Sequence, residues 1–60
     1  SDSTAFKTLQ CVYDGLSIQQ IAKKRKITVK TVVKHVRFFL NNGVIRLSTF
    51  SPADQDLLEL

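Results

Sequence analysis

The chain has 60 residues, with 9 Lys and Arg against 5 Asp and Glu, one His and one Cys. This length predicts a single domain, residues 1–60, which is too small for an enzyme cleft and is expected to be a module of a larger protein. One Cys and one His cannot build a multi-ligand zinc site, and one Cys cannot form an intramolecular disulfide. No apolar run approaches the roughly 20 residues that cross a membrane. We therefore expect an intracellular domain (cytoplasm or nucleoid, if bacterial) without catalytic residues, cofactor, metal, membrane partner or small-molecule substrate.

The first predicted element is an amphipathic helix over residues 4–14. Its apolar positions recur at i, i+3, i+6 and i+7, at Phe6, Leu9, Val12 and Tyr13. Ser3 or Thr4 can cap its N-terminus. Gly15 is a natural end, because glycine accepts a positive φ without steric cost. Cys11 is expected to pack as a small apolar group.

A second, shorter helix is predicted to begin after Ser17, which forms a capping box with Gln20. Its inward-facing residues are Ile18, Ile21 and Ala22. The chain must then turn within residues 25–27 before Thr28 caps the next helix. Many such turns have Gly where this chain has Lys26, and a left-handed Lys26 would carry about 1 kcal/mol of strain.

The third predicted helix runs from Val29 to about residue 42 and ends at Gly43. One face is aliphatic, with Val29, Val32, Val33, Val36 and Leu40 at helical spacing. The other face is polar and carries Lys30, Lys34, Arg37 and Asn41. Of two adjacent aromatic residues, Phe39 is expected to pack inward and Phe38 to lie near the surface.

Residues 44–50 contain no helix start and are rich in β-branched side chains, so they predict a short extended arm or a wing strand. A Ser51 cap, Pro52 at the first helical position and Asp54 three residues after the cap then predict a final helix. This helix is expected to continue through Leu57, Leu58 and Leu60. The expected fold class is all-α: a winged-helix-like helix-turn-helix core of three helices, a short arm and a C-terminal helix.

The charge distribution is more informative than the net charge of +4. Between Gly15 and Ala53 there is no acidic residue, and every charged side chain there is basic. A block of one sign on a folded domain is typical of a surface that binds a polyanion. A lysine-rich face that serves only solubility is the alternative interpretation.

Residues 15–36, G-L-S-I-Q-Q-I-A-K-K-R-K-I-T-V-K-T-V-V-K-H-V, resemble the helix-turn-helix core of several DNA-binding families. The LuxR/GerE type has a similar G-L-S-x-x-x-I-A run followed by I-S-x-K-T-V-x-x-H. A closer likeness is to the helix-turn-helix domain at the C-terminus of RecQ-family DNA helicases. That domain has a similar I-A-x-x-R-x-(I/L)-(S/T)-x-x-T-(I/V)-x-x-H core, which runs here from Ile21 to His35. A G-x-I-x-L segment, matched by Gly43, Ile45 and Leu47, and a final acidic helix, matched by residues 51–60, then follow. The resemblance implies an accessory DNA-binding domain of an ATP-dependent helicase in DNA repair and recombination.

A helix-turn-helix lays one helix across the phosphate backbone and presents the next to the major groove. The predicted DNA-binding residues are therefore Lys23, Lys24, Arg25, Lys26, Thr28, Lys30, Thr31, Lys34 and Arg37. Residues 23–26 are expected to contact phosphates, and Lys30, Thr31 and Lys34 to face base edges. Because no Arg, Asn or Gln occupies the first exposed positions, we expect weak sequence readout.

Two other functions remain open from the sequence. The first is a protein-interaction module in which Phe38, Phe50 and the leucines of residues 57–60 contact a neighbouring domain of the parent protein. The second is the DNA-binding domain of a transcription regulator. An enzyme is not expected, because His35 has no nucleophile or acid near it in the sequence. We expect His35 to pack on the first helix as a structural residue.

Overall fold

The computed structural model describes residues 3–60 and is all-helical, as predicted. Its elements are α1 (Ser3–Tyr13), α2 (Ile18–Arg25), α3 (Val29–Asn41), a 3-10 turn (Leu47–Thr49) and α4 (Pro52–Leu58). Helices α1, α2 and α3 form a three-helix core, and α4 packs against α3. No helix of this part of the chain has both the length and the apolar character to cross a membrane.

Two glycines end the long helices, as predicted. Gly15 has a φ of +85° after α1, and Gly43 has a φ of +72° after α3. Beyond α1, the Leu16 N–H donates back to the Cys11 carbonyl at 3.2 Å, and the corresponding bond beyond α3 is 2.9 Å. These bonds satisfy carbonyls that the last helical turn leaves free.

Helix α1 lies one residue earlier than predicted, so Ser3 and Thr4 are in its first turn and are not its caps. Its buried face also differs from the prediction. Phe6 and Tyr13 are 62% and 65% exposed, whereas Thr8 is fully buried. The packed face is centred on Val12, and Phe6 and Tyr13 lie roughly 100–120° around the helix from it.

Helix α2 begins with the predicted capping box. The Gln20 N–H donates to Ser17 Oγ at 3.2 Å, and Gln20 Oε1 accepts from the Ser17 N–H at 2.8 Å. A further N–H of this turn, that of Ile18, donates to Asp54 Oδ2 of α4 at 3.1 Å. Three of the four N–H groups without a partner inside the helix are therefore bound by side chains.

The turn between α2 and α3 requires a left-handed residue, and Lys26 supplies it with a φ of 58° and a ψ of 43°. Thr28 caps α3 as predicted, because its Oγ1 accepts from the Thr31 N–H at 3.1 Å. The strain anticipated for Lys26 is therefore present in this fold.

Helix α3 buries the predicted aliphatic stripe. Val32 and Val36 are fully buried, Phe39 is 4% exposed, and Phe38 is 58% exposed, as expected for adjacent positions on a helix. Around this stripe the core is completed by residues of α1, α2 and the C-terminal segment, namely Leu9, Cys11, Val12, Ile18, Ile21, Ala22, Ile45, Phe50 and Leu58.

The predicted arm or wing strand is wrong, because residues 44–50 form an irregular segment with a 3-10 turn, and the described residues contain no strand. A strand would place Ile45 and Leu47 on one face. Instead, Ile45 and Phe50 are each 7% exposed and Leu47 is 37% exposed. Because Ile45 and Phe50 are both buried, the segment between them turns instead of running straight.

Helix α4 begins as predicted, with Pro52 first and with Ser51 Oγ accepting from the Asp54 N–H at 3.2 Å. It ends at Leu58, so the prediction that it continues through Leu60 is wrong. Its C-terminal end is bound by Arg37 of α3. The Arg37 Nε and Nη2 donate to the Leu58 carbonyl at 2.9 and 2.7 Å, and Nη2 also donates to the Leu60 oxygen at 2.9 Å.

We expect Asp54→Ala to lower the free energy of unfolding by about 1–3 kcal/mol, because it leaves the buried Ile18 N–H without its acceptor. Asp54→Asn keeps an acceptor oxygen but loses the charge at the N-terminus of α2, so its effect should be smaller. Urea denaturation measures both. Asp56→Ala removes an exposed acid of the same helix and should change stability by less than about 0.5 kcal/mol. Equal effects at both positions would contradict this role of Asp54.

We expect Lys26→Gly to raise the free energy of unfolding by about 0.5–1 kcal/mol. Glycine removes the left-handed strain, although its greater freedom in the unfolded chain offsets part of the gain. Lys26→Ala removes the same charge and keeps a Cβ, so it should give no gain. Thermal denaturation of the two variants separates strain from charge, and equal melting temperatures would count against strain at this turn.

Candidate nucleic-acid interface

Three of the predicted basic residues surround the exposed end of α2. Lys23 and Lys24 are exposed in its last turn, and Lys26 is exposed in the turn that follows. Cations here complement the helix dipole, which explains part of their occurrence without a ligand. In the chain they precede the first residue of α3 by three to six positions.

Arg25 belongs to the same run of sequence but points into the fold. Its Nη1 donates to the Thr4 carbonyl at 2.8 Å and to Thr8 Oγ1 at 2.5 Å. The same Thr8 hydroxyl is hydrogen bonded to His35 Nδ1 at 2.8 Å. This cluster joins α1, α2 and α3 and confirms the structural contact expected between His35 and the first helix. It engages the guanidinium that the sequence assigned to phosphate, through Nη1.

The guanidinium of Arg37 is also occupied, by its bonds to the end of α4. An arginine that satisfies carbonyls at a helix C-terminus stabilises that joint by charge and by hydrogen bonding. Arg25 and Arg37 are therefore structural residues in this fold, and we exclude both from the DNA surface proposed below.

The outer face of α3 carries an open recess of about 620 Å³. It is lined by Lys30, Thr31, Val33, Lys34, Arg37, Phe38 and Asn41, none of which is acidic. Lys30 and Lys34 are exposed, and Thr31 is half-buried. The Thr28 and Thr31 hydroxyls are 2.9 Å apart and hydrogen bonded to each other, so both belong to the helix cap.

The acidic residues within the described part of the chain lie outside α2, the turn and α3. Asp54 is buried against the N-terminus of α2. Asp14 follows α1, and Asp56 and Glu59 belong to α4 and its end. Among the residues that the structure describes, α2, the following turn and α3 carry no acid, and we call their exposed lysines the lysine surface: Lys23, Lys24, Lys26, Lys30 and Lys34.

The structure corrects the surface suggested for a protein partner. Phe50 and Leu58 are buried in the core, and Leu57 is partly buried against it, so they do not form an exposed apolar stripe. Phe38 remains exposed. Phe6 is also exposed and lines the same recess as Phe38, although its helical spacing predicted that it would lie on the buried face.

A comparison with protein-family models matches residues 4–59, nearly the whole chain, to a helix-turn-helix domain. No curated protein matches the chain, and no solved structure does. The matched range includes α1 from its second residue onward, α2, α3, α4 and the turn at Lys26. Helix-turn-helix domains bind DNA, and one of this size is typically not an enzyme. The chain therefore belongs to the family of helix-turn-helix domains.

Proposed function

We propose that this domain binds duplex DNA with the first turns of α3 in the major groove and the end of α2 on the phosphate backbone. The observation that carries this proposal is the lysine surface, because it joins the two parts of the motif that meet DNA in this fold. A solvated face would not need its basic residues gathered at the turn and on the outer side of one helix.

Binding through this surface depends mainly on phosphates. Lysine is a compact charge that attracts phosphate without the two-point geometry by which arginine reads guanine. Arg25 and Arg37 are engaged inside the fold, and the Thr28 and Thr31 hydroxyls are bonded to each other. Lys30 and Lys34 remain at the groove, where each ammonium can contact a phosphate as well as a guanine edge, which supports weak sequence readout.

We further propose that the domain is an accessory C-terminal module of a RecQ-like, ATP-dependent DNA helicase acting in repair or recombination inside the cell. The likeness of its core and tail to that family supports the assignment. In the structure, Arg25 and His35 of the similar core share one hydrogen-bonded cluster with Thr8, which gives that pattern a physical reason.

The identity of the parent protein is tested by sequencing the complete reading frame that encodes these residues. We expect helicase ATPase motifs on the N-terminal side of this domain. A receiver domain or ligand-sensing domain in their place would contradict the helicase assignment and would favour a transcription regulator. Either result leaves the DNA-binding proposal standing.

DNA binding itself is tested by fluorescence anisotropy of a labelled blunt duplex at several salt concentrations. Because five lysines make up the surface, we expect log K to fall with log salt at a slope of about −4 to −5. Lys30→Glu/Lys34→Glu should weaken binding at every salt concentration and reduce the slope by about 2.

The matched control is Lys7→Glu/Arg46→Glu, which changes the net charge equally at two exposed residues outside the lysine surface. It should lower affinity much less than the α3 variant. Equal losses in the two double variants would show that only net charge matters. A folded domain that binds no duplex at low salt would contradict the proposed function.

A further inference from the structure

A second recess lies beside the lysine surface, between α1 and α3. It has a volume of about 470 Å³ and is lined by Ala5, Phe6, Lys34, His35, Phe38 and Phe39. Phe6 and Phe38 are 62% and 58% exposed. We call this the aromatic recess. Exposed aromatic side chains that share one depression are typical of a binding site, whereas single exposed apolar residues are not.

The two exposed rings are held in place by a buried one. Phe39 lies in the core, and its ring centroid is 5.9 Å from that of Phe6 and 5.3 Å from that of Phe38. The planes of Phe38 and Phe39 meet at 77°, an edge-to-face contact that favours one ring orientation. The recess is therefore already formed before any ligand is bound.

The aromatic recess is continuous with the lysine surface. Lys34 and Phe38 line both the recess on the outer face of α3 and the recess between α1 and α3. Along α3, Lys30, Lys34 and Phe38 follow one another at a spacing of four residues, so they lie on nearly the same side of the helix. A polyanion bound to Lys30 and Lys34 would therefore also reach Phe38.

We infer that the aromatic recess holds an unpaired nucleobase of a single-stranded segment that adjoins the duplex bound by α3. This inference rests on the proposed function and deepens it, because it names DNA with a junction between paired and unpaired strands as the substrate. The phosphate of the unpaired nucleotide lies at Lys34, and its base stacks on the ring of Phe38 with Phe6 at its edge.

Charge and chemistry favour a nucleotide over a peptide. None of the lining residues described in the two recesses is acidic, and the one lysine they share belongs to the surface proposed for phosphates. Phenyl rings stack on any of the four bases, because every base has a π-face. Such stacking is independent of sequence, as is expected of a domain with few base-reading side chains.

The test compares a blunt duplex with the same duplex carrying a four-nucleotide single-stranded tail, either 3′ or 5′. The tail carries 2-aminopurine next to the junction, so that stacking on Phe38 changes its fluorescence. We expect at least one tailed duplex to bind roughly 5-fold or more tightly than the blunt one, from the stacking of one base. The fluorescence of the tail should change on binding.

Phe38→Ala should bring the affinities for tailed and blunt duplex together and abolish the fluorescence change. Phe6→Ala should reduce both effects. Tyr13→Ala is the matched control, because Tyr13 is 65% exposed on α1 and lies outside both recesses. It should keep the preference for the tail. Circular dichroism of each variant verifies that the helices remain folded.

The outcomes separate this inference from the proposed function. Equal binding of tailed and blunt duplex by the unchanged protein would overturn the inference and leave duplex binding intact. A preference for the tailed duplex that survives in Phe38→Ala would also overturn the inference, and would favour a protein partner as the occupant of the aromatic recess. No binding of either DNA at low salt would instead refute the proposed function itself.

Discussion

Helix α2 is the element on which the fold depends, and it cannot hold its own shape. It has eight residues, whereas isolated helices shorter than about 12–15 residues are marginal in water. Its first N–H groups are bound by its own cap and by Asp54 of α4, and Arg25 in its last turn is bound to α1. Two fully buried isoleucines lie between these ends. Because both ends of α2 are fixed, the turn at Lys26 sets one orientation of α3 relative to α2.

In this arrangement the arginines and the lysines have different roles. Two of the three arginines satisfy several oxygens each at the joints between helices, Arg25 toward α1 and Arg37 toward α4. A planar guanidinium with five N–H donors suits such multiple contacts. The lysines at the turn and on α3 are left at the surface, where a compact, hydrated charge attracts phosphate. The same surface adjoins the aromatic recess at Lys34, so charge and stacking meet on one helix.

Local signals in the sequence determined where the helices begin and end. The cap at Ser17, the cap at Thr28 and the stop at Gly43 were all predictable, because each of these interactions joins residues at most five positions apart. The aliphatic stripe of α3 was equally predictable, since its residues recur at helical spacing and all face the core. The positive character of the surface also follows from the sequence, because no acidic residue interrupts the block that contains it.

Only the tertiary structure decided which basic side chains stay outside. The acceptors of Arg25 and Arg37 are 17 to 23 residues away in the chain, and Asp54 binds an N–H 36 residues away. Nothing in a local pattern encodes such partners. The packing of α1 likewise decided that Phe6 lies at the surface, because a stripe of apolar residues wider than the partner face leaves its edge exposed. The sequence by itself determined the helices and their charge, whereas long-range contacts determined the site, because they fix which groups are already satisfied.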